Sequence, residues 1–313
     1  MATTTGFSAS INVRNKQELY LEGKHIILQD LKLRDDLKQE KMFTYLSKNI
    51  PDYPTPVEFH ITELAHVTKK TNLQKIWDSE GFKGLDEDSL LWWSLKINEA
   101  DIRAAERWYL KSSIQDISEE EIAAQQPFLS KFTTSPAFIN ETSCYGNFAF
   151  TFPLTELMEA YKKQMCEDEE PVLRVYGTKL FKKLIEYVVL VHSPRFNETF
   201  SKHPLLASSP LVVYEGNQII WRAQAICELH NCQLEIHGKT ADTQTMDPVE
   251  FYVWDHVTLA FHVNKDEVLT FPKTRLKPSL SCCKIESKEL ANGGISDLNE
   301  ATAFLESLSE TNE

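Results

Sequence analysis

The run His66-Val67-Thr68, then Asn72-Leu73-Gln74-Lys75-Ile76 and then Gly81-Phe82, decides how this chain is read. It has the pattern of a strand end, a polar turn, an amphipathic helix and a glycine stop. Strand side chains alternate with period two, so His66 and Thr68 point to the same face. A helix over residues 71–79 puts Leu73, Ile76 and Trp77 at i, i+3 and i+4, which makes one face apolar. Gly81 suits the left-handed residue that ends such a helix. A polar His-x-Thr pair pinned beside a short packed helix can offer hydrogen-bonding groups to a ligand.

Around this centre the chain alternates between strand-like and helix-like patterns. Residues 24–31 read as a strand and 32–46 as a charged helix-like run, broken by Tyr53-Pro54-Thr55-Pro56. Residues 57–67 read as one strand, long enough for a central place in a sheet. Residues 89–95 are short and apolar, and 98–110 read as a helix. A second helix over 117–129 has Ser118 and Glu121 at capping-box spacing. Residues 145–152 form a strand with Phe148, Phe150 and Phe152 on one face. A helix capped by Thr155 follows over 155–165. Residues 173–176 are β-rich. So are residues 185–192, whose nearly continuous apolar character predicts burial on both faces. Beyond Pro194 strands are expected at 211–214, 218–226, 232–237 and 257–263, with Glu215-Gly216-Asn217 as a hairpin turn. The fold class is α+β with a β-rich centre. Residues 1–12 read as a flexible N-terminus, 13–280 as the globular region and 281–313 as an acidic disordered tail.

The chain has 313 residues, of which 42% are apolar and 11% aromatic, enough to build a core. The net charge of −13 opposes non-specific nucleic-acid binding, which needs a cationic field. Glu119-Glu120-Glu121, Glu167-Asp168-Glu169-Glu170 and the C-terminal region carry much of the acidity, and such runs are ordinarily solvated. No run approaches the ~18 apolar residues of a membrane span. The N-terminus lacks an apolar signal region, and Ala2 stands where myristoylation needs glycine. A soluble protein of the cytoplasm or nucleus, without membrane contact, is expected. Its six cysteines then read as free thiols.

The opening run resembles the first motif of the ADP-ribosyltransferase fold in its poly(ADP-ribose) polymerase-like branch. There a His-Gly-Ser/Thr ends a strand ahead of a helix. The resemblance implies NAD as cofactor, held at its ribose and nicotinamide by His66 and Thr68. Val67 departs from the family glycine. Leu90-Leu91-Trp92-Trp93-Ser94-Leu95 is similar to the second motif, with Trp93 where the family stacks a Tyr on nicotinamide. Core packing is the competing role for Trp93. Ile185-Glu186-Tyr187-Val188-Val189 resembles the third, which supplies the catalytic glutamate, here Glu186. A carboxylate there stabilises the ribose cation left when nicotinamide departs, or polarises the nucleophile. Opening a strand at a solvent edge is the competing role for Glu186.

The match covers residues 57–192 and implies an ADP-ribosyltransferase-like mixed β core with flanking helices. In overall texture, rather than by a motif, the chain is also similar to virus-induced fish proteins related to this branch. That likeness implies an antiviral or innate immune role. Val67 and Trp93 favour a catalytically impaired member that binds a protein partner. Glu186 favours an active NAD-dependent mono-ADP-ribosyltransferase. A third reading is an interaction protein in which His66 closes a core hydrogen bond.

Other chemistry is thinly represented. Cys227, His230, Cys232 and His237 lack the spacing of a common zinc finger. On a strand, alternation would also put Cys227 and His237 on one face and His230 and Cys232 on the other. No metal site is therefore expected. Phosphate-cradling glycine loops and a nucleophile elbow are both missing from the sequence.

Overall fold

The computed structural model describes residues 6–11, 17–38, 43–47, 57–84, 89–125, 127, 129, 135–138, 142–224, 226–227, 250–251, 255–285, 295 and 297–310. Nine strands form one mixed sheet. In chain order they are β1 (Phe7–Ile11), β2 (Gln17–Glu22), β3 (Glu63–Thr68), β4 (Leu90–Lys96), β5 (Phe148–Pro153), β6 (Val172–Leu180), β7 (Ile185–His192), β8 (Asp255–His262) and β9 (Leu280–Cys282). Their spatial order is β1-β2-β6-β7-β8-β4-β3-β5-β9. Only β7 and β8 run parallel; every other neighbour is antiparallel. The helices are α1 (Leu28–Lys32), α2 (Asp35–Lys38), α3 (Lys70–Ser79), α4 (Glu99–Ser113), α5 (Glu119–Ala124), α6 (Leu154–Met165), α7 (Lys273–Ser279) and α8 (Leu298–Glu310). The α+β class stands. No helix among the described residues is long and apolar enough to cross a membrane.

The β7 run of β-branched residues lies at the middle of the sheet, and all eight of its residues are buried. Parallel pairing with β8 demands cover on both faces, which explains the nearly unbroken apolar sequence. The three phenylalanines of β5 are fully buried on one face, as their alternation requires. Helix α4 starts at Asn98 and α5 at Ser118, each with a complete capping box. The turn at Gly216 and Asn217 has positive φ at both residues and joins strands 212–215 and 218–222.

Several expectations change. Residues 57–67 form two strands, not one. Glu58–Ile61 joins the small sheet with Gln218–Arg222, while β3 enters the large sheet. Residues 24–27 are irregular, and the strand of this region is β2, upstream of the expected one. Helix α3 ends on Glu80 in the left-handed conformation. Gly81 instead pairs with Thr270, where a Cβ would meet the Leu269 carbonyl oxygen at 2.6 Å. The first residue of α6 is Leu154, preceded by Pro153, so Thr155 is inside the helix and is not its cap.

The C-terminal region differs most from its expectation. Residues 298–310 form α8, with Ala301 and Leu308 buried and Phe304 against Phe148 at 5.7 Å. Asn147 secures this segment. Its side-chain amide donates to the carbonyls of Cys283 and Ile295, and its oxygen accepts from the Ile295 N–H. Composition hides such a helix, whose few apolar residues show only in their helical spacing.

Candidate functional site

Strand register fixes where the expected site residues go. Leu259 of β8 sits beside Val189 of β7 and Trp93 of β4, so these three share one face. Thr258 sits beside Val188 and Ser94 on the other. Alternation then puts Glu186 with Val188 and Thr258, on the face opposite Trp93. Leu64 pairs with Leu95, which puts His66, two residues on, with Trp93. The structure therefore brings His66 and Trp93 together, with Thr68 on their face, and places Glu186 behind the sheet.

On the first face His66 and Trp93 belong to an aromatic layer. The His66 ring lies 5.4 Å from both Trp93 and Phe82, and Phe82 lies 5.2 Å from Trp93. Phe152 closes on Trp93 edge-on at 5.8 Å. Nδ1 of His66 donates to the Trp92 carbonyl at 2.9 Å, which leaves the other ring nitrogen unprotonated in the neutral form. Burial lowers the His66 pKa, partly offset by that hydrogen bond. Trp93 is 0% exposed and His66 8%; Thr68 is buried beside them. A nicotinamide needs one open ring face to stack on. Trp93 is fully buried, so neither of its faces is open to a nicotinamide as these residues are arranged.

The second face carries polar and titratable groups. Thr258 donates its hydroxyl to Oε1 of Glu186 at 2.6 Å. His256 is the in-register neighbour of Glu186 across the parallel pair, and its buried Nδ1 has no hydrogen-bond partner among the described residues. Burial lowers its pKa to about 4 although the Glu186 charge pulls the other way. Lys179, opposite Glu186 on β6, holds its ammonium 4.4 Å over the Trp92 ring. Glu186 is thus an interior carboxylate, not a strand opener at a solvent edge. Beginning the strand at Val257 instead of Asp255 hid His256 from sequence reasoning. The alternation Asp255-His256-Val257-Thr258 was the available signal.

Farther along this face a segment following β7 covers the sheet. Phe196 and Phe200 meet His262 at 4.4 and 5.0 Å, and Phe200 meets His192 at 4.9 Å. Arg174 ties the segment down. Its Nε donates to Nε2 of His192, and its terminal nitrogens donate to the His203 carbonyl and the Asn197 side chain. Since Nε2 accepts, Nδ1 of His192 donates to the Ser193 carbonyl. Burial holds His192 at about 4.

Two cavities open at the surface. One, of about 440 Å³, opens between the β2–α1 connection and residues 204–210, with Lys24, His25, Asp30 and Ser209 among its walls. His25 and Ser209 look like a base and nucleophile, but their groups are consumed. His25 donates Nε2–H to the Val188 carbonyl, and its Nδ1 accepts the Ser209 hydroxyl at 2.8 Å. Both Ser209 lone pairs then receive the N–H groups of Leu211 and Val212. The second cavity, about 510 Å³, lies between α4 and α5. There Glu106 accepts from Arg103 and the Leu129 N–H, and Glu119 pairs with Arg107 and Lys111.

Among the described residues no group of three potential metal ligands converges; His230, Cys232 and His237 of the rejected zinc pattern lie outside them. Comparison with protein-family models, curated proteins and solved structures found no match. The geometry therefore carries the functional argument alone.

Proposed function

We propose that this chain is a binding protein that engages a protein partner, and that its ADP-ribosyltransferase-like trio is not used for transfer. The observation that carries the proposal is the division of that trio: His66 and Trp93 pack in one aromatic layer while Glu186 faces away behind the sheet. A transferase needs its cofactor-holding and charge-stabilising groups around one reacting atom. Two groups on opposite faces of a sheet cannot meet there without a change of register. Both surface cavities also have their best polar groups paired internally, which favours recognition by surface over small-molecule chemistry. An immune or antiviral role remains part of this proposal on sequence likeness alone.

The test is calorimetry with NAD together with an auto-modification assay on the full chain. No saturable heat up to about 1 mM NAD, a cofactor concentration that would register binding of about −4 kcal/mol, supports the binding-protein reading. NAD binding with label transfer that is lost in Glu186→Gln would overturn it. A circular-dichroism check of the variant separates loss of chemistry from loss of fold.

A further inference from the structure

Residues 193–203 leave the end of β7, cross the second face of the sheet and return to β6, where the Pro204 carbonyl accepts from the Val175 N–H. This strap completes a hydrophobic cluster apart from the main core. Leu90 of β4, Val188 and Leu190 of β7 and Ala260 of β8 are buried with Phe200, and Phe196 packs against them. The floor of the cluster is sheet and its roof is the strap. Lifting the strap uncovers apolar surface on three strands.

The polar contacts of the strap differ in weight. At its rim Arg195 pairs with Glu267 and Lys202 with Glu22. These groups are partly exposed, and such pairs add ~1 kcal/mol at most. At its centre is Arg174. Its Nε donates to Nε2 of His192 at 2.8 Å, and its terminal nitrogens donate to the His203 carbonyl at 2.8 Å and to the Asn197 side chain at 3.1 Å. One rigid guanidinium fork thus joins β6, the end of β7 and two points on the strap. The bond to His192 holds only while that imidazole is neutral. Nδ1 already donates to the Ser193 carbonyl, so a further proton can go only to Nε2, the acceptor that Arg174 uses. It would turn that acceptor into a donor and set an imidazolium against a guanidinium. Among the described residues the side chains acting on the His192 charge are Arg174, His262 and His203, none of them a carboxylate. Glu22 lies 3.7 Å from Nε2 of His203, so it favours a proton there and not on His192.

We propose that residues 193–203 are an acid-released strap: protonation of His192 at Nε2 detaches Arg174 and frees the strap from the second face of the sheet. His192 is the sensor and Arg174 the latch. In the closed state His192 is fully buried, and burial holds its pKa at about 4. Released into water, it returns to about 6.5. The released state therefore takes up a proton that the closed state refuses, and release becomes easier as pH falls from 6.5 towards 4.

The test is amide hydrogen exchange of the full chain, comparing protection factors in the strap with those in β7. From about pH 7 to about pH 4.5 the opening equilibrium of the strap should rise about fiftyfold relative to that of β7. His192→Gln keeps an oxygen that can accept from Arg174 and does not titrate in this range. In this variant strap protection should stay level with that of β7, and circular dichroism at neutral pH verifies its fold. A wild-type strap that loses protection no faster than β7 overturns the proposal, whatever the variant does. So does an equal acid response in the wild type and in folded His192→Gln.

Discussion

The two faces of the central sheet are built on different chemistry. One is an aromatic layer in which His66 and Trp93 touch Phe82 and Phe152. The other carries Glu186, Thr258, His256, His192 and His262, part of it under a covering segment with Phe196 and Phe200. The first face gains stability by burying apolar area, whereas the second has to keep its imidazoles neutral to stay buried. Trp93 and Glu186 are separated by one intervening strand and one change of face, which is enough to give them unrelated roles.

Acid should destabilise the fold through its buried imidazoles. His25, His192 and His256 are each held at about 4 by burial. Between pH 6.5 and about 4 the unfolded chain takes up protons that the folded chain refuses, so stability falls as pH falls through that window. Asp255 acts in the opposite sense. Burial pushes it up to about 7, so the folded chain holds that proton and gains stability as pH falls below 7. Three imidazoles outweigh one carboxyl, and a net loss on the order of 5 kcal/mol is expected by pH 4. Urea unfolding across this range checks it; an unchanged midpoint would refute the burial of these imidazoles.

Trp93→Ala addresses the first face. Removing a fully buried indole should cost about 4 kcal/mol in denaturant unfolding. A loss below about 1 kcal/mol would mean that Trp93 lines an open site after all. Asn147→Ala should cost about 2 kcal/mol, because it strands the Cys283 and Ile295 groups it now serves. Limited proteolysis should then cut ahead of α8, and an unchanged digest would show that α8 docks without Asn147. The smallest effect belongs to Glu186→Gln, whose amide oxygen still accepts from Thr258. About 1 kcal/mol is expected, and a loss as large as that of Trp93→Ala would make Glu186 an anchor of the whole sheet.

Much of the local structure could be read directly. The capping box at Ser118, the helix start at Asn98, the turn at Gly216-Asn217, the buried β7 and the phenylalanine face of β5 all follow from nearby residues. The misread features depended on distant partners. Gly81 serves a bridge to Thr270 and not the α3 terminus, and α8 is ordered by Asn147 far upstream in the chain.

The candidate site divides in the same way. Alternation within β3 was visible in sequence, so His66 and Thr68 were assigned a common face. Which face of β7 joins which face of β4 depends on β8 lying between them, and on its register to each. A shift of one residue in either pairing would have put Glu186 on the side of Trp93. Short-range periodicity, capping and charge are properties of neighbouring residues, and these the sequence by itself determined. Strand order and register are set by packing across the whole sheet, so the tertiary structure alone decided that His66 and Trp93 meet and that Glu186 does not join them.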